Sequence, residues 1–208
     1  MIEQRTEEWR KARLGMPTAS QFDRVVTPKG VLSEKRYLYA GELIAERIFG
    51  RSMAKDVSRY EAVKWGVEHE DEAANALAER IGELQPGGFW TDNDIKPRYG
   101  ASPDRLLIHG NRQEVCEIKC PQIPTHVRNV LFGMPDEHRT QIQGQLLVSG
   151  FDLAHFWSYH PDCPPCYEKV PRDERFIEAL RRGLDEFCDE LDKAERRARK
   201  MGGWNGVA

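Results

Sequence analysis

The spacing of apolar positions changes rhythm along the chain, and the changes mark out its elements. From Thr6 to Leu14 a short helix is predicted, with Thr6 as cap and Gly15 as stop, carrying Trp9, Arg10, Lys11 and Arg13. A second helical segment starts near Pro17-Thr18. Between Ser33 and Phe49, Tyr37, Ala40, Ile44 and Ile48 recur at helical spacing, and Gly50 sits just past the end. Ser58 followed by Glu61 forms a capping box, and the periodic run behind it passes through Trp65, Ala73 and Leu77 to Gly82.

From Phe89 to Lys119 the pattern shortens to strand-like runs punctuated by Pro and Gly, including Asp104 to Ile108 and Gln113 to Lys119. Pro121 and Pro124 end this sheet region. Helices are predicted near Thr125 to Leu131 and Asp136 to Ser149, then an aromatic-rich strand from Leu153 to Tyr159. The last element, about 173–200, sets Phe176, Leu180, Leu184, Phe187, Leu191 and Ala194 on one stripe and ends in Arg196-Arg197-Ala198-Arg199-Lys200. Basic residues suit that end of a helix dipole. The order of elements predicts an α/β or α+β fold, a central sheet flanked by helices.

With 208 residues the chain can bury one good core, so residues 1–208 read as a single domain with a C-terminal amphipathic helix. No 18-residue apolar run and no basic-then-apolar leader are visible, which predicts a soluble, cytoplasmic protein with no membrane partner. Five cysteines are an odd count and read as reduced thiols. Cys163 and Cys166, in a Cys-Pro-Pro-Cys run, do not make a standard zinc spacing with Cys116 and Cys120, and their role is left open. A net charge of -3 is not that of a protein that coats nucleic acid. If DNA is the substrate, the basic residues must be focused on one face and the acids partly used to hold metal.

The chemistry gathers around Gly110-Asn111. If these two residues form a tight turn, His109 faces Arg112, and the register then puts Asp104 opposite Glu117 and Ser102 opposite Lys119. Side chains alternate faces with period two, so Glu117 and Lys119 share a side. Two carboxylates with Cβ atoms about 4.5–5.5 Å apart repel. A bound cation resolves the conflict, and oxygen ligands suit Mg²⁺, with Mn²⁺ as a substitute. Such an ion polarises a phosphate and acidifies a bound water. The alternative reading is that both acids are solvated strand residues, since Glu-x-Lys alone is common.

On the helix after Ser58, Glu70 lies in the middle of the apolar stripe formed by Val63, Gly66, Val67, Ala73, Ala74, Leu77 and Ile81, while Glu68, Glu72 and Glu79 point away. A carboxylate on a core face needs a partner, a raised pKa or a metal. Glu70 is thus either a further metal-site acid or one half of a structural salt bridge. The six histidines form no ligand pair, and no phosphate-binding Gly-x-x-x-x-Gly-Lys loop or Gly-x-Ser-x-Gly elbow occurs.

Trp9-Arg-Lys-Ala-Arg13-Leu-Gly15, Thr18-Ala-Ser20, Trp65-Gly66, His69-Glu70, Ser102-Pro103-Asp104, Glu117-Ile-Lys119-Cys-Pro121 and Gln141-Ile-Gln143 occur in this order. Together they resemble the phage lambda exonuclease, or YqaJ-type viral recombinase, family over roughly Gln4 to Tyr159. The resemblance implies a restriction-endonuclease-like core of the PD-(D/E)xK superfamily, with a mixed sheet flanked by helices. It implies a Mg²⁺-dependent 5′ to 3′ exonuclease that degrades one strand of duplex DNA from its ends and leaves 3′ single-stranded tails for recombination. Asp104 and Glu117 would hold the metal, Glu70 would contribute to that site, and Lys119 would serve the attacking water. Arg13, Ser20, Ser102 and Gln141 match positions that line a pocket for the 5′-phosphate. A homotrimeric ring around DNA, a single-strand annealing partner and, for a phage or prophage protein, the host cytoplasm are implied in the same way.

Two features depart from the family. The usual Ser-Pro-Asp-Gly here ends in Arg105, and the connection between the two active-site strands differs in length. Two other readings stay open: an endonuclease of the restriction or resolvase type on the same core, and a DNA-end binding protein without catalysis.

Overall fold

The computed structural model describes residues 2–54, 60–93 and 95–205. Helix α1 (Glu7–Arg13) is capped as the sequence predicts, with the Thr6 hydroxyl accepting from the Trp9 amide at 3.2 Å, acids in its first turn and bases in its last. Behind Thr18 the chain forms a short 3₁₀ helix (Ala19–Arg24) in place of a second α-helix. Its Phe22 is fully buried. Helix α2 (Arg36–Phe49) ends at Gly50 in the left-handed region, but its buried face is Tyr39 and Leu43. Tyr37 is 59% exposed, because Tyr39 is the ring that stacks on Phe187, 5.8 Å away.

Helix α3 (Glu61–Ile81) buries Ala73, Ala74 and Leu77 in its second half, while Val63 and Val67 in its first half are exposed. The apolar stripe of this helix is therefore used only where the sheet lies beneath it. Ser58 of the expected capping box lies outside the described residues, and Tyr60 precedes the helix without a side-chain cap.

The main sheet has five strands in the order β1 (Leu84–Pro86), β4 (Arg105–His109), β5 (Arg112–Lys119), β6 (Leu153–Ser158) and β7 (Cys166–Pro171). A separate pair joins β2 (Trp90–Thr91) to β3 (Gly100–Ala101). Strands β5 and β6 run parallel, and every other neighbouring pair in the main sheet is antiparallel. The parallel step needs a crossover, supplied by α4 (Ile123–Phe132) and α5 (Asp136–Ser149). The sheet is mixed, as expected, but the sequence reading did not include β1 or β7.

Alternation along β5 separates two environments. Cys116 and Ile118 face Ala73 and Leu77 of α3, whereas Val115 faces Ile142 and Leu146 of α5. Glu117 shares the α5 side. The final helix α6 (Glu174–Met201) starts at Asp173, whose carboxylate accepts from the Phe176 amide at 3.0 Å. Its stripe is buried from Phe176 to Leu191, packing on Phe22, Val26, Tyr39 and Leu43, and Ala194 beyond it is exposed. Each fully buried Leu or Phe of this stripe contributes about 1.5–3 kcal/mol. No helix among the described residues is long and apolar enough to cross a membrane.

Candidate active site

The hairpin forms in the expected register. Gly110 takes a positive φ of 58°, His109 faces Arg112 and Arg105 faces Cys116. Asp104, one residue before β4, has left the ladder. Its Oδ2 instead accepts the Ile118 backbone N–H at 2.7 Å, so the carboxylate is anchored beside Glu117 by the strand that carries it. Pro103 is fixed from two directions. Its carbonyl accepts from Gln4 Nε2 at 2.5 Å, and a Cβ on Gly87 would lie 1.8 Å from the same oxygen. Only glycine allows that approach.

Glu117 is 1% exposed. Its Oε1 accepts from Lys119 Nζ and from Gln141 Nε2 (2.6 Å), and its Oε2 from Gln145 Nε2 (2.5 Å). Burial, and next the neighbouring Glu117 charge, push the Asp104 carboxyl up to about 8. Burial works against the charge on Lys119, but Glu117, Asp104 and Glu70 together outweigh it and hold the ammonium more firmly protonated than in a free lysine.

Glu70 reaches the same neighbourhood, since its charge acts on both Asp104 and Lys119, but its oxygens are turned to Arg5 and to Arg105 Nη1 (3.3 Å). The salt-bridge reading of Glu70 therefore describes its contacts. Arg105, which replaces the family's glycine, also reaches Asp71 at 2.8 Å. Among the described residues no three His, Cys, Asp or Glu side chains already form a metal cage. The donor set of Asp104 and Glu117 nonetheless fits a hard divalent ion: two adjacent carboxylates, buried and mutually repelling, oppose a single lysine.

A second cluster is linked to this site through Ser102, two residues before Asp104. Arg13 stacks on Trp9 (4.1 Å to the ring centre) and donates to Ser102 Oγ (3.2 Å) and Thr18 Oγ1 (3.3 Å). Trp9 Nε1 also donates to Ser102 (2.8 Å), and Thr18 Oγ1 lies 3.5 Å from Ser20 Oγ. Among the described residues no carboxylate pairs directly with Arg13, and burial draws its guanidinium down to about 10, against the opposing influence of Tyr39 and Glu46. Arg13, Thr18 and Ser20 open on a cavity of about 1030 Å³ that also meets Arg10, Lys11 and Arg24 and the acids Glu7, Glu42 and Glu46.

Of the eight residues named from sequence, Asp104, Glu117 and Lys119 come together directly. Arg13 joins Ser102 to Thr18, which lies beside Ser20, and Gln141 is placed on Glu117, not in hydrogen-bond contact with the Arg13 group. Trp9, Thr18 and Gln145 were missed as site residues. Trp9 and Thr18 sit inside quoted motifs, and Gln145 follows Gln141 by one helical turn, the spacing that brings two residues to one face. The cysteines do not converge: Cys116 and Cys120 pack under α3, while Cys166 packs on the α5 side of the sheet.

A mixed sheet with helices on both faces, and with Asp, Glu and Lys meeting on its central hairpin, defines the class of restriction-endonuclease-like nucleases. Within it, the chain belongs to the YqaJ-like viral recombinase family, whose profile matches residues 8–152. The chain is similar to an alkaline exonuclease, LHK-Exo, from Laribacter hongkongensis, with 29% identity and a TM-score of 0.81 over 95% of this chain and 100% of that one. A second structure of that enzyme, in complex with dAMP, gives the same values. A phage-related exonuclease from Haemophilus somnus 129PT shares the fold, at 13% identity and a TM-score of 0.64 over 90% of this chain and 96% of that one. No curated protein matches the sequence. The chain is a nuclease, of the exonuclease kind found in its relatives.

Proposed function

We propose that the chain is a Mg²⁺-dependent 5′ to 3′ exonuclease that degrades one strand of double-stranded DNA from its ends and leaves 3′ single-stranded tails. The observation that carries this reading is the Arg13 group: a part-buried cation held by the hydroxyls of Ser102 and Thr18, with no direct carboxylate partner among the described residues, and Ser102 stands two residues before Asp104. A part-buried cation with no ionic partner carries a desolvation cost, and a terminal phosphate meets its charge and its fork of donors.

Asp104 and Glu117 would hold the ion, with Glu70 the third acid in electrostatic reach. When bound, a divalent ion supplies Lewis-acid polarisation of the phosphate and a more acidic water. Lys119, kept charged by its acidic neighbours, stabilises negative charge building on the phosphate and orients the water. Trp9 and Thr18 hold Arg13 in place, while Ser20 and Ser102 extend the donors around the end phosphate, and Gln141 serves the metal site through Glu117. Residues 1–208 act as one nuclease domain, assembled as a ring-shaped homotrimer around duplex DNA, in the cytoplasm and beside a single-strand annealing protein.

The test compares linear duplex with closed circular plasmid, in Mg²⁺ or Mn²⁺ and in EDTA. Digestion of the linear form alone, abolished by EDTA, is expected. Nicking of the closed circle would point to the endonuclease reading, and no cleavage of either to a DNA-end binding protein.

A further inference from the structure

The two oxygens of Glu117 are held from unlike sides. Oε1 meets Lys119 and Gln141, both partly open to solvent. Oε2 meets one donor, Nε2 of Gln145, at 2.5 Å. Gln145 is fully buried on α5, and its own Oε1 has no hydrogen-bond partner among the described residues. A buried amide oxygen left unpaired is costly, and an aliphatic side chain at this core position would avoid the cost. Nor can the amide turn over to relieve it, because its oxygen would then face a carboxylate oxygen.

We propose that Gln145 is a positioning residue for the metal site: it clamps Oε2 of Glu117 on the core side, so that Oε1 is the oxygen presented toward the partly open face where a divalent ion would enter. The inference rests on the metal-dependent nuclease reading above. Gln145 acts only through Glu117 and touches no substrate. Hydrogen bonds of this kind orient ligating carboxylates, and their loss typically weakens metal binding by about 10- to 100-fold.

The test uses the full chain and Gln145→Met, which conserves volume while removing the donor. Mn²⁺ binding is measured by calorimetry without DNA, and duplex digestion is followed across a range of Mn²⁺ concentrations. A cooperatively folded variant is expected to bind Mn²⁺ about 10- to 100-fold more weakly. Its rate should recover at high Mn²⁺, with the DNA concentration for half-maximal rate unchanged, which a general loosening of the fold would not produce. If Gln145→Met does not fold, Gln145→Asn, whose shorter amide falls short of Glu117, is held to the same expectation. A folded variant that binds Mn²⁺ as the wild type does overturns the inference alone. A wild type that binds no divalent ion and digests DNA in EDTA overturns the metal reading, and this inference with it.

Discussion

At the scale of single residues, Arg13 concentrates the argument about which DNA end is recognised. Its donors are aimed by Trp9 and Thr18, and a phosphate would replace hydroxyl partners with a charged one. Hydrogen bonds to charged groups contribute about 1.5–3 kcal/mol, about 10- to 100-fold in rate. Arg13→Ala should therefore slow digestion of a 5′-phosphorylated duplex by that factor and leave a 5′-hydroxyl duplex almost unaffected, as initial rates on the two ends will reveal. Lys119→Met should lower the maximal rate by about 10²–10³-fold, the usual loss when a charge-stabilising donor is removed. Binding of DNA in Ca²⁺, followed by fluorescence anisotropy, should persist.

His155 makes a different prediction, about stability. Burial, the largest influence, lowers its pKa below the ordinary 6.5, against the opposing hydrogen bond that Glu114 accepts from its Nε2 at 2.7 Å. The folded state thus takes up this proton less readily than the unfolded chain. The resulting stability is complete above about pH 6.5 and is lost as pH falls through the folded pKa. Denaturant midpoints measured between pH 7 and 5 should fall, and His155→Gln should flatten that fall in part, since burial shifts His138 the same way.

Residue identities in the site were legible in the sequence, but residue partners were less so. A hairpin register can be counted, which is why Asp104 and Glu117 were placed side by side. The pairing of Glu70 with Arg5 spans 65 positions, and that with Arg105 spans 35. No local periodicity reports contacts of that kind.

At the scale of elements, the site depends on how closely the Gly87 backbone passes Pro103. Gly87→Ala should push the Pro103-Asp104 segment away from Ile118, giving a folded protein with reduced activity and weaker divalent-ion binding, checked by circular dichroism and calorimetry. Leu184→Ala on α6 removes a fully buried side chain far along the chain from the acids. It should cost about 2–5 kcal/mol in denaturant unfolding, with divalent-ion affinity unchanged below the unfolding transition.

Long amphipathic elements could be read from spacing alone. Helix α5 was placed from Asp136 to Ser149, the bounds found, and the α6 stripe loses Ala194 and gains Ile177, Gly183 and Cys188. Helix α2 was legible only in part. The predicted Ala40 and Ile44 do pack against the core, but Leu43 and Tyr39, which stacks on Phe187 of a distant helix, take the most buried positions beside them. Strand β7 escaped because its burial alternates weakly at the sheet edge, and β1 because it has only three residues.

At the scale of the whole molecule, the proposed activity requires a chain of net charge -3 to hold DNA. The basic residues Arg10, Lys11, Arg13, Arg24 and Arg51 border one cavity, against the acids Glu7, Glu42 and Glu46. Phosphate contacts release counterions, so digestion should weaken steeply as salt rises. The proposed ring predicts a mass of three chains by light scattering.

The central claim is that this site removes nucleotides from a phosphorylated 5′ end with the help of a divalent ion. It is tested most directly by following a linear duplex labelled internally on one strand near its 5′ end and on the other near its 3′ end, with Mg²⁺ and with EDTA. Early release of the label near the 5′ end, retention of the label near the 3′ end and silence in EDTA are the expected result. Early release of the label near the 3′ end, or digestion that continues in EDTA, would contradict the account.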